Sequence, residues 1–175
     1  KWTEKDKQKE RKYLLYQKLI TKVKAVMRND LNFCSHGILF RYHKKLSSAV
    51  ITPDEENRTI NQNQAFYHQS QQSVYHRLLI EELEELDRFK IDSLLFLGKG
   101  KNYDNLVELI AKITHRENRK LAEQYIGMTD PVLIDKKKEA ALNQNKEQVG
   151  KLNQVFEELD TLLIKALDIK IKPGL

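Results

Sequence analysis

The histidines are the side chains of this sequence best suited to acid–base or metal chemistry, and three of the five stand directly after tyrosine: Tyr42-His43, Tyr67-His68 and Tyr75-His76. Neighbours on a helix point about 100° apart, so none of these dipeptides can act as a local pair, whereas His68 and His76, eight apart, can share a face. A di-iron bundle needs Glu-x-x-His, which brings both ligands to one side of a helix. No histidine here has glutamate three places before it, and the His-Glu-x-x-His zinc signature is absent from the sequence. Surface or boundary positions are therefore the expected fate of these rings, and neither a metal nor a cofactor is expected. Nucleophilic chemistry would fall to Cys34-Ser35-His36, but nucleophile and base normally meet in space from distant positions. A buried or half-buried, inert cysteine is the expected outcome for Cys34.

Arg28-Asn29 followed by His36 resembles the ribonuclease motif of the helical HEPN families, an arginine and a polar residue with a histidine after four to six intervening positions. Seven residues separate Arg28 from His36 here, a departure of one, so the resemblance carries no family membership. It implies Arg28 as the group that stabilises phosphate and His36 as the acid–base group. Gly98-Lys99-Gly100-Lys101 offers glycines for close backbone approach and lysines for charge, but it lacks the spacing and the trailing Ser or Thr of a phosphate loop. A solvated turn is expected there. Five acids in Glu81-Glu82-Leu83-Glu84-Glu85-Leu86-Asp87 read as a solvated helix face that can bind a basic helix, within the molecule or between molecules.

Charge is unevenly placed along the chain. Of the formal +6, residues Lys1 to Arg28 carry +7 (ten Lys or Arg against three acids), leaving −1 for everything after them. Lys5, Lys7, Lys9, Arg11 and Lys12 form the densest part, suited to an acidic partner face, an anionic membrane surface or nucleic acid. Aromatic residues are not interleaved with the basic ones after Tyr16, which argues against a platform for single-stranded nucleic acid. A small-molecule substrate is not expected. One cysteine allows no internal disulfide, which favours a reducing, cytoplasmic setting. No run of roughly 20 apolar residues is present to span a bilayer. The chain opens on Lys1-Trp2 with lysines following, a pattern suited to the cytosolic side of a membrane anchor lying upstream.

The elements that must position these residues are helical. With 6 Gly and 3 Pro in 175 residues, and 32% of residues charged, the composition favours long helices over turn-rich sheet. Leu15, Leu19, Val23 and Val26 recur at spacings of four, four and three and predict a helix to about Arg28. Residues 1–12 read as an exposed basic extension. From Asn29 to Ile51 the expectation is irregular chain plus one helix, because Asn29-Asp30 and Gly37 interrupt it. Thr52-Pro53-Asp54-Glu55 predicts a helix start with Thr52 as cap and Pro53 first in the helix. That helix begins polar, with Asn61 to Gln64 and Gln69 to Gln72, and becomes amphipathic from Tyr75 to Phe89. Asp92 is expected to cap a short turn ending at Gly98. A further helix is predicted from Tyr103 or Asp104 to Gly127, taking in Leu121 and Tyr125, and Asp130-Pro131 starts the last one. Leu142, Val149, Leu152, Phe156, Leu159, Leu163 and Ala166 give the last helix a heptad-like stripe, with Asn145 on the same seam.

The whole of 1–175 is thus expected to be a single all-α domain, an antiparallel bundle of about four or five helices. The function expected is a non-catalytic interaction or scaffolding domain with a protein partner. The alternative is a nucleic-acid-binding protein of HEPN-like ribonuclease type.

Overall fold

The computed structural model describes residues 2–115 and 125–170, and the protein is all-α among them, with helices that pack as a bundle. The helices are α1 (Glu4–Leu46), α2 (Glu55–Leu97), α3 (Lys101–Thr114) and α4 (Pro131–Ala166). Contacts divide the chain into two compact units, each assembled from separated stretches. The first comprises Lys1–Met27, Ile80–Arg116 and Lys151–Leu175, the second Arg28–Leu79 and Glu117–Gly150.

The first unit holds a conventional apolar core. Leu15, Leu19, Val23 and Val26 of α1 are buried, as their spacing requires, and so in the same unit are Leu86 of α2, Leu106, Ile110 and Ile113 of α3, and Leu159 and Leu163 of α4. Each such side chain, fully withdrawn from water, contributes about 1.5–3 kcal/mol. The second unit is different in kind. Its buried apolar residues are Cys34, Ile38, Ala65, Tyr125, Ile134 and Ala141, together with buried Asn29 and Asn145. Small and polar groups thus take the place of the leucines of the first unit.

Several boundaries depart from the sequence expectation. The segment from Asn29 onward is not irregular: α1 runs unbroken to Leu46. Gly37 does not break this helix, and a Cβ there would stand 2.6 Å from Nε2 at the end of the flexible Gln72 side chain on α2. The start of α2 is shifted as well. Asp54, not Thr52, caps it, its Oδ1 accepting from the amide of Glu56 at 3.1 Å, and Pro53 lies before the cap. The Thr52 hydroxyl instead donates to the carbonyl of Leu46 at the end of α1. No separate turn begins at Asp92, since α2 continues to Leu97. Gly98 then closes it with φ 68°, its amide donating to Leu94 O at 2.9 Å.

Helix α3 begins at Lys101 and ends at Thr114, well before Gly127. Leu121, expected in this helix, lies outside the described residues. Asp130-Pro131 opens α4 as expected, with Asp130 Oδ1 accepting from the amide of Val132 at 3.0 Å and Pro131 first in the helix.

Candidate interaction surface

In the second unit α1 and α2 meet along a seam that repeats every seven residues but is built from polar rings and amides. His36 and His43 supply it from α1, and Asn61, His68 and Tyr75 from α2. The Nδ1 atoms of His36 and His68 are 2.9 Å apart, so one imidazole donates to the other and the accepting ring is neutral. His43 Nδ1 lies 2.9 Å from Oδ1 of Asn61, the histidine donating. The rings of His43 and His68 stack at 5.6 Å and 5°, and those of His36 and Tyr75 at 5.6 Å and 12°. Burial pushes the pKa of His36 down, and it does the same to His68, where charge on His36 and His43 adds to the effect. Both rings are therefore held toward the neutral form. His76, eight residues after His68, meets α1 as well, packing on Phe33 at 5.6 Å. Among the described residues, no group of three or more His, Cys, Asp or Glu is placed to hold a metal ion.

The α1–α4 contact of the same unit is polar too. Asn145 is 4% exposed, and its Nδ2 donates to Leu31 O at 3.2 Å and to Ser35 Oγ at 3.1 Å. Further along, Tyr42 donates to Asp135 at 3.0 Å while Lys138 sits 4.4 Å over the Tyr42 ring and 3.0 Å from Asp135. Lys138 and then Tyr42 hold the Asp135 carboxyl below the usual range.

The outer side of α2 carries a second row. Ile60, Tyr67 and Val74 each stand one residue before a seam residue, Asn61, His68 or Tyr75, and so lie about 100° around the helix from it. All three are exposed, Tyr67 to 51% although its ring also meets His36 edge-on at 6.3 Å, and beside them Phe66 is 72% exposed. The polar residues between them are Asn63, Gln64, Ser70 and Gln71. From Thr59 to His76, 18 consecutive residues contain no Asp, Glu, Lys or Arg, in a chain 32% charged. A helix face with aromatic and aliphatic side chains and no charge has the composition of an interface core rather than of ordinary surface.

The residues singled out by the sequence fall in several places. Arg28 and His36 share α1, eight residues and hence about 12 Å apart along it, and the structure does not bring them together. Arg28 is exposed, whereas His36 belongs to the seam. Cys34 is buried with its Sγ 3.9 Å from Asp30 Oδ1, and Ser35 bonds Asn145. Lys5, Lys7, Lys9 and Arg11 are exposed on the first turns of α1, and Lys12 is half-buried. Trp2, Lys5, Lys9 and Lys12 line a cleft of about 1020 Å³ together with Leu167–Lys170. The acidic run of α2 does meet α1 inside the molecule, through Lys22, which pairs with Glu82 at 2.8 Å and also with Glu85. Gly98-Lys99-Gly100-Lys101 is the exposed link between α2 and α3.

The sequence reading missed the seam and the charge-free face. The signals were present as a spacing of seven from His36 to His43 and from Asn61 through His68 to Tyr75, and as the unbroken absence of charge after Arg58. Among the described residues no helix is long and apolar enough to cross a membrane. Comparison with protein-family models, with curated proteins and with solved structures gave no significant match to this chain.

Proposed function

We propose that this chain is a non-catalytic interaction domain that binds a protein through the charge-free outer face of α2. The observation that carries the reading is the exposure of Ile60, Phe66, Tyr67 and Val74 within 18 residues that hold no charge. Charged side chains are costly to desolvate, so their exclusion from an exposed helix in a chain this rich in them favours burial against a partner. The exposed Lys5, Lys7, Lys9 and Arg11, with Trp2 nearby, support a second contact, with an acidic partner face or an anionic membrane surface under a cytosolic, membrane-tethered arrangement. Within one chain Arg28 and His36 stand about 12 Å apart along α1, which supports the interaction reading over the ribonuclease alternative.

Site-specific photo-cross-linking tests the reading. A photoreactive residue replacing Phe66 is expected to give protein adducts in the cell, whereas the same residue replacing Glu147, exposed on α4, gives none. Equal labelling from both positions, or none from position 66, removes the proposed surface. Nuclease activity lost on Arg28→Ala and His36→Ala would replace the reading with the catalytic one.

A further inference from the structure

Resting on that reading, we infer that the occupant of the α2 face is a second copy of this chain, docked antiparallel about a two-fold axis at Tyr67. The apolar row is symmetric in sequence about that residue, with Ile60 seven places before it and Val74 seven after. In an antiparallel pair with the axis level with Tyr67, residues equally far before and after it stand at the same height. Ile60 then faces Val74 of the partner subunit, about 10 Å along the helix on either side of the axis. A two-fold interface requires this kind of self-complementarity, because every contact occurs twice with its members exchanged.

The polar residues of the face point to the same occupant. Asn63, Gln64, Ser70 and Gln71 each carry both a donor and an acceptor, so two identical faces can satisfy one another. Charged groups cannot do so at a two-fold axis, where each would meet its own sign. Level with Tyr67, where the axis runs, the segment carries no charge that would meet its own copy. The residues bracketing the neutral segment choose the direction. A parallel pair sets Glu56 on Glu56 and Arg77 on Arg77, whereas the antiparallel pair brings Glu56 to within one residue's rise of Arg77 of the partner subunit. A contact of only three apolar levels is small, so association is concentration-dependent rather than permanent.

Sedimentation velocity and light scattering on the intact chain, from about 5 µM to about 500 µM, read the association directly. The mass is expected to rise from the 20.6 kDa of one chain toward twice that value. Tyr67→Glu, which sets two carboxylates together on the axis, and Phe66→Glu, on the neighbouring exposed position, are both expected to hold the chain at one copy with its helical circular dichroism intact. Direction is read by disulfide trapping in a Cys34→Ser background. Tyr67→Cys alone is expected to cross-link to itself, and Ile60→Cys only when mixed with Val74→Cys. A chain that stays at one copy throughout the range overturns the inference, as does a dimer indifferent to both glutamates, or Ile60→Cys trapping itself as readily as Tyr67→Cys. A single-copy chain that still cross-links from position 66 to a different protein also overturns it, while leaving the interaction reading in place.

Discussion

The imidazole pair at the α1–α2 seam makes the second unit sensitive to acid. His36 and His68 both have their pKa lowered from 6.5 in the fold, chiefly by burial, and His68 also by the charge of His36 and His43. The unfolded chain therefore binds more protons just below that value. Stability from these rings is complete above about pH 6.5 and is lost as the pH falls through it toward their lower folded values. Around them stand His43, Asn61, Tyr67 and Tyr75, which the second proton would meet as one further imidazole and three neutral groups. Urea midpoints at about pH 7.5 and about pH 5.5 are expected to show a fall on acidification that is reduced in His36→Gln/His68→Gln. An unchanged pH slope in that double variant would remove the pair as the source. Asn145 is the other polar residue on which packing depends. Asn145→Ala removes its bonds to Leu31 and Ser35 and is expected to cost about 1–2 kcal/mol in a denaturant titration, an effect absent at exposed Asn143.

At the scale of the element, the reading succeeded where apolar periodicity or capping chemistry spoke alone. Leu15 to Val26, the stop at Gly98 and the start at Asp130-Pro131 were all legible, because each depends on neighbours within a turn or two. It failed where a residue's role is set by another helix. Gly37 reads as a breaker, yet α1 runs through it to Leu46, and the His36–His43 repeat is invisible to a search for apolar residues. Asn145 was placed on the right seam by its spacing, but its burial could not be told from exposure without knowing that Ser35 lay opposite. Gly150 shows the converse case, an interior helical glycine with nothing near it: a Cβ there meets no atom within 4 Å. Gly150→Ala is expected to stabilise the protein by about 0.5–1 kcal/mol, seen as a higher thermal midpoint, since it restores helix propensity without a clash.

For the whole molecule, the all-α class followed from composition and long helical periods, while the division into two units did not, because each unit joins stretches far apart in sequence. The units differ in what fills them, mostly leucine, isoleucine and valine in one, and in the other Ile38, Ile134 and Tyr125 with alanine, cysteine and asparagine beside a seam of half-buried imidazoles. Leu163→Ala is expected to cost about 2–5 kcal/mol by leaving a cavity in the first. Local opening is expected to be easier in the second, so amides of 29–46 and 55–79 should exchange with deuterium before those of 106–113 and 159–166. Reversal of that order would show that the polar seam holds more firmly than its burial suggests. The one cysteine happens to lie inside this unit, only 3% exposed. A thiol reagent reaches Cys34 only in moments when the helices around it part, so the unaltered chain, labelled in native buffer, carries its own clock for how often its polar unit breathes.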